Sequence, residues 1–283
     1  MILTDLNQVM ISNMMMQIGN HLNAEVDENM LRHMVLNSIR SNKTKFEAEF
    51  GELVICADDR DYWRRDFFPY YKASRKKARE KSELDWTKIF NALNTIREEL
   101  KTFFPYRVIQ IDNAEADDII GTIVHEKGTE LNIGEPILIL SGDKDYIQLH
   151  RYANVKQYDP TRKRWIRHSD PDKYLFEHIL KGDSGDGVPN VLSADNSFVA
   201  GTRQRPLTKK RIEECQDINM MDSEIKRNWH RNKKLIDLSE VPDRIKTEVM
   251  DVFESENEKD RSQLFNYFVK NKLKFLMEHI NDF

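Results

Sequence analysis

Cysteine is nearly absent: Cys56 and Cys215 are the only two in 283 residues, and they lie far apart. That spacing supports neither a disulfide framework nor a zinc finger, and it points to a reducing cytoplasm. Long hydrophobic runs are missing as well. No apolar stretch approaches the roughly 18 residues that a membrane-spanning helix needs. The start, "MILTDLNQVMISNMMMQ", is apolar but carries no basic leader or small-residue cleavage site, so a signal peptide is not expected. Internal repeats and low-complexity linkers are absent too. The chain also lacks an excess of positive charge: its formal net charge is −4 at pH 7, a sum that by itself argues against a polyanionic partner.

What is present contradicts that sum locally. Nine Lys or Arg residues face three acids between Arg60 and Lys81. Five basic residues and no acid run from Arg203 to Arg211, and "KRNWHRNKK" follows from Lys226 to Lys234. Fields are screened over about 8–10 Å at physiological salt, so local clusters outweigh the total. One charge run is ordinarily a solvated face. Three in an otherwise acidic chain point to a nucleic-acid partner. With 39% hydrophobic and 33% charged residues, the chain has both a core and a polar surface.

Strand-like apolar runs recur at 1–5 ("MILTD"), 52–58 ("ELVICAD"), 106–112 ("YRVIQID") and 136–141 ("PILILS"). Helical periodicity fills the intervals in "DENMLRHMVLNSIRSN", "WTKIFNALNTIREELKTFF" and "ADDIIGTIVHEK". Such alternation predicts an α/β fold with a mostly parallel sheet covered on both faces. After about residue 170 the strand signal fades, and "PDKYLFEHILKG", "LTKKRIEECQDI", "DRIKTEVMDVF" and "RSQLFNYFVKNKLKFLMEHI" read as helices. The expected division is an α/β core over 1–180 and a smaller helical region over 181–283.

Binding sites in open parallel sheets form beyond the carboxyl ends of the strands. Acids collect there. Asp5 ends the first run and Asp58 the second; Glu115, Asp117 and Asp118 follow the third, and Asp143 and Asp145 the fourth. "KGDSGDGVPN" adds Asp183 and Asp186. Each alone is most simply a helix cap. Together they pose an electrostatic problem, since two unit charges 5 Å apart repel by roughly 3 kcal/mol at an effective dielectric of 20. Five or more would exceed a typical stability margin of about 5–15 kcal/mol. They must protonate, disperse or bind cations. An all-oxygen ligand set favours magnesium or manganese over zinc. Helix geometry places Glu115 and Asp118 on one face and turns Asp117 elsewhere.

The acid after the first strand, "EADD", "SGDKDYIQL" and "GDSGDGVPN", in this order, resemble the acidic motifs of the 5′ nuclease superfamily of flap endonucleases and 5′–3′ exonucleases. The similarity extends over nearly the whole chain. It implies a PIN-like core, a helical arch and two-metal hydrolysis of phosphodiesters at flapped, branched or nicked duplexes. By resemblance, Asp5, Asp58, Glu115, Asp117 and Asp143 serve the first of two magnesium ions. Asp145, Asp183 and Asp186 serve the second, manganese can substitute, and Asp118 stands behind the ligands. Asp58 is preferred to Asp59 for its place at the strand end, and Asp112 is taken as a cap.

Residues 59–82 match the family's arch, beneath which a single strand passes. Its aromatics, Tyr62, Trp63, Phe67, Phe68, Tyr70 and Tyr71, are interleaved with cations, a composition suited to single strands. The resemblance brings Arg64 and Lys72 to the scissile phosphate. Arg65, Tyr71, Arg75 and Lys76 are further candidates for nucleic-acid contact, as are Arg203, Arg205, Lys209, Lys210 and Arg211 for duplex. One departure concerns "VLSADNSFVAGTRQRPLTKKR", which lacks the family's Gly-x-Gly hairpin and following lysine. That puts a potassium-binding turn there in question.

Implied substrates are DNA with single-strand/double-strand junctions and RNA–DNA hybrid, in lagging-strand primer removal. Implied partners are a sliding clamp and a single-strand-binding protein, with Ile280–Phe283 expected to hold out a terminal aromatic for the clamp. Nothing requires more than a monomer. Two other readings fit the composition: a non-catalytic binder of DNA structures and a PIN-like single-strand ribonuclease.

Overall fold

The computed structural model describes residues 1–19, 27–82, 84–129, 134–215, 218, 221–257 and 259–283; at 17–19 and 76–78 only the backbone enters the description. The chain opens with β1 (Ile2–Asp5), α1 (Leu6–Gly19), α2 (Glu28–Phe50) and β2 (Leu53–Cys56). Two short helices follow, α3 (Trp63–Phe67) and α4 (Ala73–Glu80), then α5 (Trp86–Phe103), β3 (Arg107–Ile109), α6 (Ala116–Lys127) and β4 (Ile137–Leu140). A 3-10 turn at Asp145–Arg151 leads to the hairpin of β5 (Val155–Asp159) and β6 (Arg164–Ile166). The rest is helical: α7 (Pro171–Lys181), α8 (Ser197–Ala200), α9 (Lys209–Glu214), α10 (Ser223–Ile236), α11 (Asp243–Glu254), α12 (Leu264–Lys270) and α13 (Lys274–Glu278).

The sheet runs β3-β2-β1-β4-β5-β6. All neighbours pair in parallel except β5 and β6. Because side chains alternate along a strand, Ile2, Leu53, Ile55, Leu138 and Leu140 face one layer, with α1, α2 and α5. Leu3, Val54, Cys56, Ile137 and Ile139 face the other, with α6 and α11. Burial on both faces explains why these strands read as continuous apolar runs. A third cluster joins Phe68 and Tyr71, Leu175 and Ile179 of α7, and Trp229, Leu235 and Ile236 of α10.

The hairpin was not anticipated. β5 carries Lys156 and Gln157 where an apolar run would be expected, and β6 is a charged edge strand, a common guard against edge pairing. The expected long helix over 261–280 is also broken: Lys272 takes a left-handed conformation (φ 56°) between α12 and α13. Phe268, Leu273 and Leu276 enter the core as their spacing implies, whereas Phe265 and Val269 stay more than half exposed.

The terminal aromatic requires a correction. Phe283 is fully buried, with its ring 5.6 Å from Phe104 and 5.2 Å from Phe268, so it closes the core and is not held out for a clamp. Among the described residues, no helix is long and apolar enough to cross a membrane.

Candidate metal centre

Parallel pairing brings the carboxyl ends of β1, β2 and β4 to one sheet edge, with Asp5 opposite Cys56 and Thr4 opposite Leu140. The acids sit in the loops there. Asp5 accepts from the Gln8 amide at 3.0 Å and faces the Ser141 hydroxyl at 3.3 Å. Asp58 accepts from Asn7 Nδ2 at 2.6 Å and from the Ala116 amide at 2.8 Å. Asp59 turns away to the Asn113 amide and Gln110. Tyr146, just after Asp145, donates its hydroxyl to Asp117 at 2.6 Å and lies 3.5 Å from Asp5. Ser141 and Gln157 shape the last of these loops: the Ser141 hydroxyl accepts from the Asp143 amide, and Gln157 Nε2 donates to the carbonyls of both Ser141 and Asp143.

A second group closes the site from the other side. Glu115 caps α6 and shares a capping box with Asp118. Its oxygens meet the Lys72 ammonium, the Tyr71 hydroxyl at 2.8 Å and Arg64 Nη1 at 3.2 Å. Asp118 has no exposed surface. It pairs with Arg64 at 2.8 Å, accepts from Trp63 Nε1 at 3.1 Å and from the Glu115 amide at 3.0 Å, so it braces Glu115 from behind. Asp186 accepts from Tyr71 at 2.9 Å and Arg75 Nη2 at 2.6 Å, with Lys72 at 3.6 Å. Asp117, Asp145, Asp183 and Asp186 line one narrow recess with Arg64 and Tyr71.

His178, near the end of α7, was not singled out from sequence. Its Nδ1 lies 3.5 Å from Asp145 and its Nε2 3.5 Å from Asp183, so the three offer a mixed nitrogen and oxygen donor set. A histidine five residues before an acid has no signature of its own. Only the helix ending at Lys181 and the turn at Gly182 (φ 68°) bring them together.

The electrostatics divide the acids. Burial, with help from Asp58 and Asp143, pushes the Asp5 carboxyl up to about 7. Burial and Glu115 raise Asp58 to about 6. Burial and Asp143 raise Asp145 to about 8, and burial with Asp143 and Asp5 raises Asp117 well above the usual carboxylate range. At Glu115 burial acts the same way, but Lys72 and Arg64 outweigh it and the carboxyl is held low. At Asp183, burial is likewise outweighed by the hydrogen bond from His178 and backbone amides. Oxygen donors that crowd one sheet edge and push one another's carboxyls up suit a hard divalent ion.

The basic candidates fall in different places. Lys72, in a left-handed conformation (φ 54°), is buried against Glu115. Arg64 is 2% exposed, and its Nε donates to the Leu235 carbonyl at 2.9 Å. Tyr71 is also interior, so its hydroxyl serves the carboxylates and its ring is not an exposed stacking face. Arg65 is exposed and lies over the Tyr62 ring, and Arg75 is exposed beside Asp186. The Lys76 side chain falls outside the described residues. Arg203, Arg205, Lys209, Lys210 and Arg211 are all exposed, on the loop after α8 and the first turn of α9. That loop folds back on Asn190 through Gln204 and the Arg205 carbonyl and forms no Gly-x-Gly hairpin. A further basic run, Arg162–Arg167 on the β5–β6 hairpin, is exposed apart from Ile166 and had no distinguishing mark in the sequence.

Comparison with known proteins agrees with this layout. The family described as 5′-3′ exonuclease, N-terminal resolvase-like domain, matches residues 11–177, and that described as T4 RNase H, C terminal, matches residues 170–283. The chain belongs to the 5′–3′ exonuclease family. It is 35% identical to the ribonuclease H of Enterobacteria phage T4, over 99% of this chain and 95% of that protein. A flap endonuclease Xni of Shewanella sp. (strain MR-4) is 27% identical over 49% of this chain and 51% of its own length. Among solved structures, the T5 D15 protein crystallised with metal ions superimposes with a TM-score of 0.62 at 16% identity, covering 91% of this chain and 99% of that one. The T5 D15 flap endonuclease in complex with DNA and metal ions gives 0.63 at 17% identity, covering 89% and 97%. The exonuclease family thus accounts for a mostly parallel sheet flanked by helices and followed by a helical C-terminal region.

Proposed function

We propose that this chain is a magnesium-dependent, structure-specific 5′ nuclease. It would hydrolyse phosphodiesters of DNA, and of RNA in RNA–DNA hybrid, at flapped, branched or nicked duplexes, with RNA primer removal as its role. The observation that carries this reading is the convergence of Asp5, Asp58, Asp117, Asp143 and Asp145 at one sheet edge, where burial and neighbouring carboxylates push up the carboxyls of Asp5, Asp58, Asp117 and Asp145. Asp5, Asp58, Glu115, Asp117 and Asp143 would hold one divalent ion, and Asp145, Asp183 and Asp186 a second, with manganese able to replace magnesium. Bound there, the ions would supply an activated water and neutralise the leaving oxygen. Family membership and the metal- and DNA-bound T5 D15 neighbours support the same chemistry.

The residues of this chain divide the remaining work. Lys72, buried against Glu115 with Asp186 3.6 Å away, would be the cation that meets a phosphate brought to these carboxylates. Arg64, 2% exposed and donating to the Leu235 carbonyl, would act by positioning Glu115 and Asp118 against α10. Exposed cations on α9 and its preceding loop would carry duplex. The test compares a 5′-flap DNA with an unstructured RNA of equal length. Magnesium-dependent release of the flap, leaving a 5′-phosphate on the downstream strand, is expected. Preference for the unstructured RNA would favour the single-strand ribonuclease reading instead.

A further inference from the structure

A second cleft lies apart from the carboxylate recess. It lies between α3 and α10, has a volume of about 640 Å³, and is walled by Phe67, Phe68 and Trp229 with basic residues of α10. It shares both helices with the metal site, since Arg64 of α3 bonds to the Leu235 carbonyl of α10. Its size falls within the roughly 300–1,000 Å³ of small-ligand clefts.

Two features define what would fit. Phe67 is 49% exposed and, unlike most aromatics of this segment, has no ring or cation partner among the described residues. An apolar ring left half bare beside a cleft is a free stacking face. Around it stand four cations, Arg227, Arg231, Lys233 and Lys234, against two acids. Each acid is shared: Asp195 is held by both Arg227 and Arg231, and Glu240 by both Lys233 and Lys234. The rim therefore remains net positive after its internal pairing. Arg231 is buried and fixed to the Pro189 carbonyl at 2.9 Å, whereas Arg227 and Lys234 keep solvent-facing surface. A bare aromatic face beside cations that keep solvent-facing surface and outnumber the acids they pair with is the combination that binds a base and its phosphate in single strands.

We propose that this cleft receives one unpaired nucleobase of the substrate, stacked on Phe67, with the adjoining phosphate held by Arg227 and Lys234. The assignment rests on the nuclease reading and adds to it a defined seat for the unpaired strand outside the carboxylate recess.

The test uses the full chain without divalent metal, so that substrate binds without turnover. Single 2-aminopurine substitutions are walked along the unpaired strand of a 5′-flap DNA. One register is expected to change fluorescence on binding, because that base stacks on an aromatic side chain. Phe67→Leu, which keeps apolar volume, abolishes that change, and Phe67→Tyr restores it. Arg227→Gln with Lys234→Gln lowers flap affinity about tenfold and flattens its salt dependence by about one phosphate, at roughly 0.7 in slope each, while fully duplex DNA binds as before. Circular dichroism confirms that each variant is folded.

Wild-type protein that binds and cleaves the flap but shows no Phe67-dependent register would overturn this inference alone. Protein that neither binds nor cleaves the flap would overturn the nuclease reading with it. A Phe67-dependent signal from free 2-aminopurine mononucleotide, with none from the strand, would overturn the strand assignment and mark a free-nucleotide site. Displacement by poly-glutamate as effective as by oligo-dT would overturn it in favour of an acidic protein partner.

Discussion

Glu115 and Asp5 stand at one sheet edge, yet their surroundings differ in kind. Glu115 has Lys72, Arg64 and the Tyr71 hydroxyl on its oxygens. Asp5 has a backbone amide and two hydroxyls, and no ion pair among the described residues. The same contrast divides the whole cluster. Glu115, Asp183 and Asp186 face cations of α3, α4 and α7 or the turn between α3 and α4, whereas Asp5, Asp58 and Asp117 face hydroxyls, amides and one another. One half is faced by cations of the protein itself, although burial still raises Asp186, and the other has no cation against it in an ion pair among the described residues. On the proposed function, that asymmetry marks Asp5, Asp58 and Asp117 as the acids whose charge depends most on a bound divalent ion, a point that a count of acids does not reveal.

The contrast can be broken most severely at Asp143. Asp143→Ala is expected to abolish cleavage while branched-DNA affinity stays within about twofold of wild type; retained magnesium-dependent turnover would remove Asp143 from the site. In the cation-paired half the largest effect is on folding. Arg64→Ala leaves Asp118 and Glu115 buried without their guanidinium, and breaking a buried pair typically costs about 3–5 kcal/mol, read by urea denaturation. A loss below about 1 kcal/mol would show that Arg64 does not hold that half together.

The uncompensated half should respond with the opposite sign. At pH 9, above the values of about 7 and about 6 to which the Asp5 and Asp58 carboxyls are pushed, Asp5→Asn removes like-charge repulsion and is expected to raise the metal-free melting temperature. The scale is about 2–4 °C per kcal/mol relieved in a chain of this size. The same substitution should erase most of the stabilisation conferred by magnesium, and a fall in metal-free stability would contradict the division. The smallest effect lies outside both halves. Converting Lys209, Lys210 and Arg211 to Gln is expected to weaken duplex binding and lower its salt slope by up to about 0.9 for each phosphate no longer neutralised, with little change in turnover at saturation. An unchanged slope would remove duplex binding from α9.

The strand-end acids were legible because an apolar run fixes a strand, and parallel topology then fixes where its carboxyl end lies. β1, β2, β4, α2, α5 and α6 follow directly from period and run length. The pairing of individual acids was not legible. Whether Glu115 or Asp5 receives a cation depends on where α3, α4 and α10 pack, and that is tertiary information. α10 hid for a related reason: its buried face carries Asn228, Arg231 and Asn232, whose polar groups are satisfied by carbonyls of Ile179, Pro189 and Val191. Its sequence therefore reads as a charge cluster. β5 hid likewise, with Gln157 fully buried but donating to two carbonyls of the Asp143 loop. At the C-terminus the helical period was real, but the break at Lys272 and the burial of Phe283 turn the tail inward.

The claim that the uncompensated half takes divalent cations for 5′ cleavage is tested most directly on a 5′-flap duplex labelled at both ends of the cleavable strand. Single-turnover cleavage is followed as magnesium is titrated into metal-free protein. The account predicts no cleavage in chelator, a rate that rises and saturates with magnesium, recovery with manganese, and a 5′-phosphate on the downstream product. Cleavage at an undiminished rate in chelator, or a product bearing a 5′-hydroxyl, would contradict it.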